Sequence, residues 1–306
     1  MIHVEHLVKR YGRQTAVDDI SFTCRPGTIT GFLGPNGAGK STTLRMMTGL
    51  TPPSAGRVTI DGIPYASHPN PGRVIGVMLD ASAQHPGRSG IETLRLTARL
   101  LGLPGARAAE MLERVGLGGA GKRRVGDYSL GMRQRLGIGT ALMGDPAVLI
   151  LDEPANGMDP EGIRWMRLLL HDFAAGGGTV LLSSHLLAEA QATVDRLVVI
   201  GRGRILADDT LESLLAGQGT TVRGVDPAAL DRALRTAGFE TKATSGGALR
   251  VQATAEQVGR VALASRQVLL ELHEGDSSGL EELFFELTAT ATTTTTATDD
   301  DQASAA

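Results

Sequence analysis

Gly34-Pro35-Asn36-Gly37-Ala38-Gly39-Lys40-Ser41-Thr42 has the form G-x-x-x-x-G-K-S. It follows an apolar run, Thr28-Ile29-Thr30-Gly31-Phe32-Leu33, that reads as a buried strand, and it precedes Thr43-Leu44-Arg45-Met46-Met47, which reads as a helix. Strand, glycine-rich loop and helix in that order are what a phosphate-binding loop requires. Glycines let successive backbone N–H groups turn inward around an anion, where a Cβ would block the path. The helix opening at Gly39 to Ser41 aims its positive end at the same point. The Lys40 ammonium can reach the β- and γ-phosphates of a nucleotide, and the Ser41 hydroxyl can hold Mg²⁺. A plain glycine-rich turn at a helix start is the blander reading, and it does not need the full pattern in this context.

Outward from this loop, the whole chain sets bounds. Its 306 residues allow one or two domains, since a domain commonly takes about 100–200 residues. Hydrophobic residues make up 42%, enough for an ordinary globular core. A net charge of −3 and an aromatic fraction of 3% argue against a nucleic-acid partner. The single cysteine, Cys24, excludes an intrachain disulfide and a thiolate metal cluster, and reads as a small buried residue. Met1-Ile2-His3-Val4-Glu5 lacks the charged and apolar regions of a signal peptide. No apolar run approaches the ~20 residues that cross a bilayer. The expectation is a cytoplasmic protein for which any membrane role needs a partner.

Before the loop, residues 2–24 alternate as strands do, around a turn at Tyr11-Gly12-Arg13. Tyr11 ends the first strand, as a rim residue or as an aromatic surface for a base. After the loop helix, a turn cluster at 51–56 leads to a strand at 57–60. A buried strand at 74–79 ends at Asp80, and Ala81 to Ser89 reads as a loop. From Ile91 to about Met143 apolar residues recur at helical spacing, broken at Gly116 to Gly121. This predicts a helical lobe, about 81–143, inserted between two strands. Ser129 opens its last helix and on its own is a good N-cap.

Ala147-Val148-Leu149-Ile150-Leu151 is continuous and apolar, as suits a strand buried on both faces of a parallel sheet. It delivers Asp152 and Glu153 at its carboxyl end, where open α/β sheets bind ligands. A magnesium-holding carboxylate belongs there after a phosphate loop. Asn156 to Pro160 turns into a helix at 161–174. The strand at 179–184 ends at His185, at the same sheet end; a histidine alone is more often just a satisfied polar group. Residues 197–200 and 204–207 form a hairpin.

A short helix at 211–216 and a linker at 217–219 precede a second unit, 220–288. Its predicted order, β-α-β-β-α-β, is the split βαβ arrangement, followed by a helix at 280–287. No catalytic constellation stands out in it. Residues 289–306 are Thr, Ala and Asp with almost nothing to bury, and are predicted to be disordered.

Taken together, residues 1 to about 215 resemble the ATP-binding subunit of an ABC transporter, with the motifs in the family's order. Gly34 to Thr42 matches the Walker A loop, and Ile150 to Pro154 matches Walker B with its catalytic glutamate, Glu153. Tyr11 falls at the adenine-stacking aromatic, Asn156 to Asp159 at the D-loop, and His185 at the switch histidine. Tyr128 to Met132 falls at the signature, where Ser129 and Gly131 are kept but Leu130 and Met132 replace the usual Gly and Gln. The Q-loop glutamine is replaced by Asp80, whose carboxylate can still coordinate Mg²⁺. A subset close to antibiotic and drug exporters, with a small C-terminal unit, looks similar here.

The resemblance implies a fold: an α/β, phosphate-loop NTPase-type, mostly parallel sheet, with an antiparallel β subdomain and the inserted lobe. The ATP-binding domain spans 1–216. It also implies ATP as substrate, Mg²⁺ held by Ser41, Asp152 and Asp80, and Glu153 orienting the attacking water while His185 senses the γ-phosphate. ATP binding would join two such subunits head to tail, as a homodimer or with a second ABC ATPase subunit, so that Ser129 and Gly131 of one close over the nucleotide of the other. The output would drive a separate transmembrane permease, gripped near Asp80 to Ser89. That permease would hold the chain on the inner face of the cell membrane and export a drug, antibiotic or lipid-like compound. The competing reading is a soluble ABC ATPase of translation or DNA repair, but the second ATP-binding domain or long coiled coil typical of those proteins is not in this sequence.

Overall fold

The computed structural model describes residues 1–216, 219–244 and 247–274 of the chain. The chain divides into two compact units, Met1–Asp208 and Asp209–Ala306. In chain order the first carries β1 (Ile2–Tyr11), β2 (Gln14–Cys24), β3 (Ile29–Leu33), α1 (Lys40–Met47), β4 (Ala55–Ile60) and β5 (Ile75–Met78). The lobe follows as α2 (Gly90–Leu100), α3 (Arg107–Arg114) and α4 (Leu130–Leu142). Then come β6 (Val148–Leu151), α5 (Pro160–Ala175), β7 (Thr179–Ser184), α6 (Leu187–Gln191), β8 (Arg196–Gly201) and β9 (Arg204–Thr210).

The strands form two sheets. One is antiparallel, in the order β2-β1-β4. The other runs β5-β6-β7-β3-β8-β9 and is parallel from β5 to β8. The alternation of residues 2–24 fits the first, with one face inward and one toward solvent. The continuous apolar runs fit the second: every residue of β3, β6 and β7 is buried, because neighbours pair on both edges and layers cover both faces. The sheets share one core, in which Phe22 stacks on Phe32 with ring centres 5.3 Å apart. Leu44 and Met47 of α1 are sealed in it. Truncating such a side chain to alanine costs about 2–5 kcal/mol, so α1 is held by what lies beneath it. Cys24 ends β2 fully buried, and burial pushes its thiol pKa up to about 12.

The register sets up the site. Leu33 pairs with Ser184, and Leu151 with Leu182, so β3 and β7 end level and β6 ends two residues short of them. The residues that follow them, Gly34, Asp152 and His185, therefore emerge at the carboxyl end of the sheet.

Three local features depart from the sequence reading. Ala81–Ala83, expected as loop, is a turn of 3₁₀ helix. Leu187–Gln191 forms a short helix that periodicity alone did not suggest. The helical run from Ile91 resolves into three helices, with short 3₁₀ turns at Gly118–Ala120 and Val125–Asp127 between the second and the third.

The second unit, after α7 (Leu211–Ala216), contains β10 (Thr220–Gly224), α8 (Pro227–Thr236), β11 (Thr241–Ala243), β12 (Leu249–Val251), α9 (Ala255–Ala264) and β13 (Leu269–Glu274). Its antiparallel sheet has the order β11-β12-β10-β13. Val222, Leu230, Leu234, Val251 and Val258 form its core. The expected linker positions 217 and 218, helix 280–287 and tail 289–306 lie outside the described residues.

Candidate nucleotide site

The loop between β3 and α1 is shaped by two glycines with no room for a side chain. A Cβ on Gly34 would lie 2.3 Å from the Ile200 carbonyl oxygen, and one on Gly39 would lie 2.7 Å from that of Ala16. Gly39 also has φ 110°, a conformation that favours glycine, and it N-caps α1 without a side-chain hydrogen bond. The first-turn N–H groups of a helix have no acceptor within it. Here no side chain supplies one at the cap, so donors and helix dipole face outward together.

Lys40 opens α1 and is only 6% exposed. Its ammonium donates to the Gly34 carbonyl at 2.6 Å and the Pro35 carbonyl at 3.3 Å, and lies 3.8 Å from Glu153 Oε1. Burial draws its pKa below the ordinary lysine value, against the opposing pull of Glu153 and Asp152. Ser41, exposed on the first turn, shares with Lys40 a groove of about 630 Å³, walled by Tyr11, Thr15, Asn36 and Glu153. Tyr11 is 51% exposed at the end of β1, with the Lys9 ammonium 5.0 Å from its ring centre. Pro35, Gly37 and Thr42 also line the groove, while Ala38 is buried behind it.

Asp152 and Glu153 follow β6. The Asp152 carboxylate accepts from the Ser183 hydroxyl. Glu153 has φ 48°, left-handed backbone that a residue with a Cβ seldom adopts. Its Oε2 lies 2.8 Å from Nδ1 of His185, so one carboxylate stands between the lysine of the loop and the histidine after β7. A cation, an acid and an imidazole thus converge beside an anion-accepting helix end, an arrangement suited to stabilising phosphoryl charge and polarising water.

Other predicted residues sit apart from this cluster. Ser129 N-caps α4, accepting from the Met132 N–H at 3.2 Å, and neither it nor Gly131 lines the Lys40 groove of its own chain. Leu130 lies so close to Gly157, at φ 72°, that a Cβ there would come within 2.1 Å of it. Asp159 N-caps α5, accepting from the Gly162 N–H at 2.8 Å. Asp80 accepts from the Ser82 N–H at 2.7 Å and hydroxyl at 2.6 Å, which hold its carboxyl below the usual range. It faces Asp152 and Glu153 across a second cavity of about 280 Å³.

Two residues of the site escaped the sequence reading. Ser183 is one of two serines that close a buried strand, a signal that points inward but not at a partner. Gln134, on the buried side of α4, reaches the segment after β6, a contact no spacing rule reveals.

A family model described as ABC transporter matches residues 17–156. The bacitracin transport ATP-binding protein BcrA of Bacillus licheniformis is 40% identical over 217 residues, 70% of this chain and 71% of that one. The Nod factor export ATP-binding protein I of Burkholderia lata is 35% identical over 297 residues, 94% of this chain and 96% of that one. Among solved structures, the ATP binding subunit of an ABC transporter aligns with a TM-score of 0.64 at 30% identity, covering 70% of this chain and 91% of that chain.

Proposed function

The chain belongs to the ABC transporter family as an ATP-hydrolysing subunit, and from that premise we propose that it powers a separate membrane permease exporting an antibiotic, drug or lipid-like compound. The observation that carries the ATPase reading is that Lys40 and Glu153 meet in the groove at the α1 N-terminus, with His185 bonded to the far oxygen of that Glu153 carboxylate. The relatives' names support the reading: one serves bacitracin transport, and the other, Nod factor export, also gives the direction. Among the described residues no helix is long and apolar enough to cross a membrane. This supports a separate permease, which would hold the chain at the inner face of the membrane.

Within the groove, Lys40 and the first-turn N–H groups of α1 take the β- and γ-phosphates, and Tyr11 takes the base. Ser41 and Asp152 offer a hydroxyl and a carboxylate, hard oxygen donors of the kind Mg²⁺ shares with substrate phosphates, and Asp80 offers a third oxygen site from across the cleft. When bound, Mg²⁺ neutralises phosphate charge. Glu153 orients and polarises the attacking water, and His185 bonds the γ-phosphate. Because Ser129 and Gly131 lie outside their own groove, the reading requires two subunits head to tail, each presenting the α4 N-terminus to the nucleotide of the other. Loss of the γ-phosphate removes the contacts that favour closure, and the dimer loosens.

The test is recovery of tagged protein from detergent-solubilised membranes. A stoichiometric multispanning partner is expected. Recovery with ribosomes or DNA instead would overturn the transport reading.

A further inference from the structure

We propose that Gln134 and Ser183 are positioning residues for Glu153, holding its backbone N–H and C=O so that its carboxylate stays between Lys40 and His185. The inference rests on the reading of Glu153 as the residue that polarises water.

The Glu153 backbone is left-handed, at φ 48°. That conformation crowds a Cβ against its own carbonyl, so it persists only where surrounding bonds over-determine it. Those bonds are present. On the amide side, the Glu153 N–H donates to the Ser183 hydroxyl at 3.0 Å, and that hydroxyl donates onward to Asp152. On the carbonyl side, the Gln134 side-chain amide donates to Glu153 O at 3.4 Å and to Asn156 O at 3.1 Å. Ser183 is fully buried and Gln134 is 5% exposed.

Gln134 carries a cost that its own packing does not explain. Its Oε1 is buried with no hydrogen-bond partner among the described residues. A buried amide that leaves one end unsatisfied is worse for stability than an apolar side chain of the same size. What the glutamine supplies and a leucine cannot is the pair of N–H bonds to the Glu153–Asn156 segment. Without them the Glu153 peptide can relax to ordinary backbone, which swings the carboxylate away from the Lys40 and His185 contacts at 3.8 and 2.8 Å.

Gln134→Leu carries the test, since Ser183 also touches Asp152. In the full-length protein we expect kcat to fall roughly 10- to 100-fold, while KM and ATP affinity hold, the split left by a misplaced group that acts only in the transition state. The Mg²⁺ requirement stays at its wild-type level, and the ATP-bound dimer accumulates on gel filtration. The loss does not multiply onto that of Glu153→Gln in the double variant, measured by single turnover, because the glutamine acts through the glutamate. Gln134→Met, unbranched like glutamine, replaces the leucine variant if thermal melting shows the latter unfolded. Wild-type kcat, or a loss that multiplies fully onto that of Glu153→Gln, would overturn the assignment. Wild-type turnover by Glu153→Gln itself would instead overturn the role given to the glutamate, and the positioning role with it.

Discussion

Glu153→Gln removes one charge and almost no volume, so its effect reads the chemistry of the carboxylate directly. In the structure Oε2 sits 2.8 Å from His185 and Oε1 sits 3.8 Å from the Lys40 ammonium. An amide keeps the size and the histidine contact but cannot act as a base. A positioned general base contributes roughly 10²- to 10⁴-fold in rate. At 1.36 kcal/mol per tenfold, that is about 3–5 kcal/mol of barrier. Binding should move differently. Two unit charges at this spacing attract by about 4 kcal/mol in a protein-like dielectric and about 1 kcal/mol in water. Lys40 is buried while Glu153 is one-quarter exposed, so the pair lies between these limits. An incoming γ-phosphate competes with that carboxylate for the same ammonium. Its removal should therefore leave ATP affinity unchanged or tightened while turnover nearly stops, trapping an ATP-bound dimer. Phosphate release gives kcat, a fluorescent ATP analogue gives Kd, and gel filtration with ATP gives assembly. A variant that hydrolyses ATP at the wild-type rate would refute the reasoning. So would one that fails to bind ATP, since that would make Glu153 a binding group.

Lys40→Ala should weaken ATP binding about 10- to 100-fold, the worth of a buried hydrogen bond to a charged group; isothermal calorimetry showing wild-type affinity would contradict the role of the loop. Tyr11→Ala should cost about 0.5–1.5 kcal/mol toward ATP, as aromatic stacking does, and leave inorganic triphosphate binding as it was; equal losses for both ligands would exclude a base contact. Cys24 gives a pH dependence: its thiol titrates near 9.0 in the unfolded chain and about 12 in the folded one. Between these values the native state keeps a proton the unfolded state has lost, so stability falls as pH rises. The slope should exceed that of Cys24→Ala by about 1.4 kcal/mol per pH unit. Denaturant melts at pH 9, 10 and 11 measure it, and parallel slopes would show the thiol reaches solvent.

Elements that write their surroundings into local composition were legible in sequence. Ile29–Leu33, Val148–Leu151 and Thr179–Ser184 are built mostly of apolar and small residues and are buried at every position, because both faces and both edges are covered. The loop from Gly34 to Thr42 was legible because packing against Ile200 and Ala16 leaves room only for glycine at 34 and 39. The β-α-β-β-α-β order of the second unit was readable from period changes alone. What escaped either leaves no mark on composition or depends on partners distant in sequence. Ala81–Ala83 closes into a 3₁₀ turn through Asp80 and Ser82, two polar residues that by composition read as loop. The left-handed Glu153 carries no compositional sign, since φ above zero ordinarily selects Gly or Asn. Gln134 falls on a helix whose buried face also includes Leu136 and Ile138, and its bond to Asn156, 22 residues on, exists only once α4 and β6 are packed. Strand order in the sheet was likewise invisible, because parallel neighbours are set by crossovers and not by adjacency.

The seclusion of Cys24 at the end of β2 has a practical use. It is the only cysteine in the 306 residues, and its sulfur is shut away from solvent. A second thiol engineered at Tyr11 or Ser129 would be the one site a maleimide dye meets in the native fold. The opening and closing of a labelled pair could then be followed by energy transfer, with the native cysteine left in place.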